Sequence, residues 1–368
     1  MKKYIYFILL IMLSAFVLFG CKKKNNSNND GIIQDYNGDG NLATTAPTQA
    51  QVTIAPDTNH AGEMKSYFTG QWVPEDIGKK RPIAFVFNNI NLSYVRNQSG
   101  IEQADILYEA LVEGGITRLL GISQNFTGDR IGSVRSARHY FVSIADEYDA
   151  IYIHYGRTKY AVSKMKELGI DHIDGLDGIG NVVFYRDNSI KAPHNAFASA
   201  KGIAEGIKEK GFETQLPSDY QPHFNFYDAD TDLTSDTNVN KITLKFSTYA
   251  SQYFEYNSTD KLYYRFQYGV PHKDSVTGNQ LKFKNIIVQF VKEWNIDKKG
   301  YQTMDLTDAS GKGYLISNGK MVPITWKKKE ANKWMRYYNE AGEELTINPG
   351  KTYVALFPDN RTKDVVIE

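Results

Sequence analysis

Residues 99–126 read "SGIEQADILYEALVEGGITRLLGISQNF", and the fold turns on whether the first half of this run is helix or strand. Ser99 and Glu102 have the form of a capping box. Ile101, Ala104, Tyr108 and Leu111 recur at helical spacing, and Gly114 supplies a stop. The spacing predicts a helix over 99–115, with a strand following in "ITRLLGISQNF".

Outward from this run, strand and helix alternate. "RPIAFVFNN" (81–89) reads as a strand and "SVRSARHYFVSIADEY" (133–148) as a helix capped by Ser133. "AIYIHYG" (150–156) is a strand, "RTKYAVSKMKELG" (157–169) a helix, "NVVFYR" (181–186) a strand and "NAFASAKGIAEGIKEKG" (195–211) a helix. Alternation of this kind implies an α/β domain, a mixed or mostly parallel sheet with flanking helices, over 79–225. From about Asn238 the texture is β-rich, as in "KLYYRFQYG", "GYLISNGKMVPITW" and "KTYVALFP", with a hairpin signal at Asn318-Gly319. A smaller β-rich C-terminal domain is expected over 238–368.

The start of the chain bears on location. Lys2 and Lys3 precede an uncharged apolar run from Tyr4 to Phe19, short for a membrane span and suited to a signal-peptide core. It ends in "LFGC", where Cys21 is the sole cysteine. Residues 1–20 are expected to be a lipoprotein signal peptide. Cys21 would be lipidated, with palmitate among its acyl chains, anchoring the protein to the extracytoplasmic face of the cell membrane. An ordinary secretory signal with an incidental cysteine is the alternative. Residues 21–78, polar, Asn-rich and then rich in Thr, Ala and Pro, read as a flexible tether. "DYNGDG" (35–40) opens like a calcium loop, but its twelfth position is Ala46, so it reads as a polar turn and no metal site is expected.

Lys and Arg total 43 against 42 Asp and Glu. Loss of residues 1–20 removes two lysines and no acid, leaving a balance of −1. The whole chain therefore exerts no general attraction on nucleic acid, and any anion site must be local. One cysteine also means no intrachain disulfide in spite of the exported setting.

In a parallel α/β sheet the residues just after each strand share one edge, where ligands usually bind. That edge collects Asn88 and Asn89, then Arg130, Arg135 and Arg138, then His154 and Arg157, then Arg186, His194 and Asn195. Arginines at the positive start of a helix are tolerable where an anion sits between them and the free N–H groups. Two readings stand side by side. The arginines hold an anionic ligand, with His154 orienting it or moving a proton; or they pair with Glu102, Asp105 or Glu109 and tie the domain together, with His154 a satisfied core histidine. No nucleophile elbow, zinc motif, phosphate loop, cysteine cluster or dinucleotide fingerprint is present. No catalytic residue is named and no cofactor is expected.

"ADILYEALVEGGITRLLGISQN", "IGSVRSARHYF", "EYDAIYIHYG", "APHNAF", "PHKDSVTGNQL" and "GKTYVALFP" together resemble the YerB-like lipoproteins, the family called domain of unknown function 3048. The likeness runs from about Arg81 to the C-terminus. It implies lipoprotein character and an N-terminal domain followed by a smaller C-terminal one, and it supplies no activity. Two functions follow. One is a binding or accessory module of the cell envelope that recognises an anionic wall or lipid-carrier ligand, or a protein partner. The other is an envelope enzyme acting on phosphorylated glycans or prenyl-pyrophosphate carriers through the arginine cluster.

Overall fold

The computed structural model describes residues 60–329 and 334–368. The signal segment, Cys21 and the calcium-like turn lie outside the described residues. Strand residues outnumber helical ones, 39% against 16%.

Fourteen strands carry the architecture: β1 Ile83–Phe87, β2 Ile106–Leu111, β3 Thr117–Ser123, β4 Ile151–His154, β5 His172–Asp174, β6 Lys241–Lys245, β7 Ser251–Asn257, β8 Leu262–Gln267, β9 Asn285–Val291, β10 Ala309–Ser317, β11 Lys320–Lys328, β12 Arg336–Tyr338, β13 Thr352–Pro358 and β14 Val365–Ile367. Three helices are long enough to pack: α1 His139–Glu147, α2 Lys159–Leu168 and α3 Ala200–Lys210. Ten strands form one sheet in the order β12-β11-β10-β9-β13-β2-β3-β1-β4-β5. Only β9–β13, β13–β2, β1–β4 and β4–β5 pair in parallel. The sheet is therefore mixed, and strands from both halves of the chain enter it.

The helix expected over 99–115 is not there. A single 3-10 turn, Ile101–Gln103, leads straight into β2. The reason is burial on both faces. Ile106, Tyr108 and Ala110 belong to one cluster with Phe141 and Ile144 of α1 and with Tyr148 just after it. Leu107 and Leu111 belong on the other side to the cluster that holds Leu244, Phe254 and Tyr263 of a second sheet. A strand enclosed on both sides is apolar throughout, and its alternation is masked. The second sheet runs β8-β7-β6-β14, with short strands Val270–Pro271 and Lys282–Phe283 both paired to β8.

Other boundaries also move. Residues 133–138 are extended, and α1 begins only at His139. The N–H groups of Val134, Arg135 and Ala137 are taken by the carbonyls of Ala196, Val86 and Gly156, each at 2.9 Å, so no helix starts at Ser133. "NVVFYR" divides into a helical turn, Gly180–Val183, and a strand, Phe184–Arg186. "NAFAS" is a strand, Ala196–Ala198, before α3. The caps of α2 and α3 fall where their sequences point. Thr158 accepts from the Ala161 N–H at 3.1 Å and Ser199 from the Gly202 N–H at 3.0 Å, and Gly169 and Gly211 close the two helices. The tether is shorter than expected: Glu63–Lys65 pairs with Trp72–Pro74, and Phe68 between them is fully buried. An aromatic side chain pays for ordering a hairpin that reads as polar linker.

Candidate functional site

The extended segment 133–138 lies across the carboxyl ends of β1 and β4, since the Arg135 N–H donates to Val86 and its carbonyl accepts from Tyr155. Arg135 and Arg138 therefore leave the backbone there without facing a helix start together. Arg138 is the residue just before α1, and Glu113 compensates it. Its Nε donates to Glu113 Oε1 at 3.0 Å and its Nη2 bonds the other carboxylate oxygen. That partner is none of the acids expected for it.

Arg135 is held differently. Its Nε donates to Asn88 Oδ1 at 3.2 Å, one Nη to the Pro193 carbonyl at 2.9 Å and the other to His194 Nδ1 at 2.8 Å. All three acceptors are neutral. A third guanidinium, Arg118 of β3, is buried behind the pair and donates to the Ser136 carbonyl at 3.0 Å. Sequence reading passed over Arg118, although an arginine at a buried position of an apolar strand was the available signal. Close by, two side chains have buried atoms with no hydrogen-bond partner among the described residues: Asn88 Nδ2 and Ser133 Oγ.

The remaining expected residues disperse. Arg130 pairs with Asp187 at 2.8 Å and stacks on Phe197 at 3.7 Å. Arg157 is neutralised by Asp174 and by Asp177, the latter at 2.9 Å. Asn195 is buried and accepts from Arg186 at 2.7 Å. Asn89 points through the opposite face of the sheet, donating to Glu109 at 3.2 Å and Thr117 at 2.8 Å. His154 is sealed in the interior: its Nδ1 donates to the Gly156 carbonyl at 2.9 Å and its Nε2 accepts from His172 at 3.2 Å. Of the ten residues collected at that edge, the structure brings together Asn88, Arg135, Arg138 and His194.

Two family models match the chain, both described as protein of unknown function (DUF3048): the N-terminal domain over residues 68–213 and the C-terminal domain over 242–354. "Putative lipoprotein YerB" of Bacillus subtilis (strain 168) is 31% identical over 317 residues, which is 84% of this chain and 90% of that protein. This chain belongs to the DUF3048 family. The crystal structure of the YerB protein from Bacillus subtilis matches with a TM-score of 0.73 at 30% identity, covering 83% of this chain and 99% of that one.

Within this DUF3048 member the electrostatics follow from three guanidiniums sharing one carboxylate. Burial lowers the Arg118 pKa to about 9, with Arg138 and Arg135 pressing it further down. Burial likewise lowers Arg135, again with Arg138 adding to the effect. Burial tends to raise Glu113, but the Arg138 guanidinium outweighs it and holds the carboxyl below its ordinary range. His194 is lowered by burial and by Arg135, which keeps its imidazole neutral and able to accept. The group thus offers uncompensated positive charge beside unused donors. Among the described residues no cluster of three or more His, Cys, Asp or Glu is arranged to hold a metal ion.

Proposed function

We propose that this DUF3048 protein is a lipid-anchored module of the cell envelope that binds an anionic ligand without transforming it, through Arg135 and His194. The observation that carries this reading is the unequal pairing of the edge arginines. Arg130, Arg138 and Arg157 each have a carboxylate. Arg186 and Arg135 have none among the described residues, but Arg186 is exposed and bonds Asn195 and Tyr155, whereas Arg135 sits beside the unpaired Asn88 Nδ2 and Ser133 Oγ. A phosphate or carboxylate supplies the missing negative charge and accepts from those donors. Anchoring through Cys21 on the extracytoplasmic face rests on the "LFGC" ending and on the lipoprotein name of the Bacillus relative.

The enzymatic alternative has less support. His154 is enclosed, and His194 spends its Nδ1 lone pair on Arg135, so neither is a free general base next to a nucleophile. The test is thermal unfolding of the mature chain with phosphate, pyrophosphate and a short prenyl pyrophosphate, beside Arg135→Ala. At a hundred times its dissociation constant a ligand adds about 2.7 kcal/mol. A rise in Tm with one of these anions, absent in Arg135→Ala, and no product formed, is the expected outcome. A Tm unmoved by all three, or turnover of the prenyl pyrophosphate, overturns the reading.

A further inference from the structure

A second recess lies at the opposite edge of the large sheet, where β2, β9 and β13 begin side by side in parallel. It is a groove of about 1190 Å³ between the large sheet, the β7–β8 side of the second sheet and the hairpin around Phe68. Its walls are close-packed. Gly70, at φ +65°, lies so near Phe226 that a Cβ there would stand 2.4 Å from the ring.

The charged lining holds four lysines and four acids; three of each pair off, while Lys351 bonds the backbone carbonyl of Glu102. Lys65 meets Asp228 at 2.6 Å, Lys284 meets Asp230 at 2.6 Å, and Lys282 meets Asp260 at 3.5 Å. An approaching anion meets aspartates and an approaching cation meets lysines, so the groove selects neither, unlike the Arg135 site. Hydroxyl groups suit such a wall, because each one donates to a carboxylate and accepts from an ammonium at once. The exposed amides of Gln71 and Asn279 line the groove, and neither side chain has a hydrogen bond to the described residues. Trp72, 45% exposed on the rim, is held flat against His60 with ring centroids 3.7 Å apart. An indole fixed in place offers an apolar edge and a polar N–H at little entropic cost.

We propose that this groove binds a linear neutral oligosaccharide, whose hydroxyls bridge the lysine–aspartate pairs and bond Gln71 and Asn279 while its apolar ring faces lie against Trp72. The test is calorimetric titration of the mature chain carrying Cys21→Ser with a hexamer of N-acetylglucosamine and a hexamer of β-linked glucose. Saturable binding of at least one is expected. Affinity should fall by about fivefold or more in Gln71→Ala/Asn279→Ala, a loss of about 1 kcal/mol, and stay unchanged in Arg135→Ala. Both amides are exposed and unbonded, so the double variant should keep its Tm. No saturation with either sugar, affinity unchanged in the double variant, or a hexapeptide that binds there in place of both sugars would overturn the proposal. The Arg135 control separates that failure from failure of the anion site.

Discussion

Glu109 and Arg265 meet at 2.7 Å with both side chains fully buried between the two sheets, one from each of the segments matched by the family models. The Tyr353 hydroxyl donates to the same carboxylate at 2.6 Å, Thr117 at 2.5 Å, and Gln252 bonds it as well. Beyond Arg265 the network continues through His272 to Gln98. A pair this enclosed is stable only whole. Glu109→Ala should therefore cost about 3–5 kcal/mol in urea unfolding, by leaving Arg265 uncompensated. Glu109→Leu with Arg265→Met should cost much less than either single change. Equal losses in the single and double variants would mean that the charge is not what matters there.

The edge arginines should separate by stability. Arg138→Met strands Glu113 and should cost about 2 kcal/mol. Arg135→Met removes a cation whose neighbours are cations and whose acceptors are neutral, so its change should stay within about 1 kcal/mol. Denaturant melts of the two variants decide this, and the reverse ranking would assign Arg135 to the scaffold.

Acid should destabilise the protein through its buried histidines, against a smaller opposing effect from Glu293, whose carboxyl burial raises to about 7. Burial lowers the pKa of His154 to about 4 and that of His139 to about 4, and it also lowers His172. Unfolded histidines take up protons near pH 6.5 while these folded ones resist until about pH 4. The unfolded state thus binds more protons in that window. The histidine contribution is full above about pH 6.5 and declines as pH falls toward 4, and His223 and His272, which burial lowers further still, extend the loss below that. For His154 alone the loss is on the order of 3 kcal/mol. Tm measured from pH 7.5 to 4 should trace this fall, with a shallower slope in His154→Gln. A flat profile would contradict the burial of these rings.

Helix α3 offers a test in which propensity and packing disagree. Alanine is the better helix former by about 1 kcal/mol. Yet a Cβ on Gly206 would stand 2.3 Å from Val183 Cγ2, and overpacking costs about 1–3 kcal/mol. Gly206→Ala should lower the Tm, whereas Gly206→Ala with Val183→Ala should recover part of the loss. Thr158→Ala, which only removes a cap, should cost about 1 kcal/mol.

The sequence disclosed elements whose signals are local. Gly169 and Gly211 closed α2 and α3 where the sequence reading ended them, because such stops depend on a few neighbouring residues, whereas α3 was read as starting too early, at Asn195. It misled at 99–115, where Glu109 looked like the polar face of a helix. In β2 that side chain points into a buried network whose partners, Gln252 and Arg265, lie more than a hundred residues away. The site was half legible for the same reason. Asn88 and Asn89 were read together, but successive strand residues face opposite ways, so one reaches Arg135 and the other Glu109. His154, read either as a ligand-orienting group or as a satisfied core histidine, is the second, enclosed with Gly156 and His172 as partners.

The position of β13 has a consequence for how the protein is made. This strand, the last to enter the large sheet, lies between β9 and β2 and is parallel to both. Until residues 352–358 arrive, β2 has a bare edge and the early strands cannot join the late ones. A chain emerging N-terminus first must then wait in an open form until those residues are available, with long-range closure as its slow step. Termination a few residues before Thr352 would strip the middle out of the large sheet, and the product should be cleared by proteases instead of persisting as a shortened module.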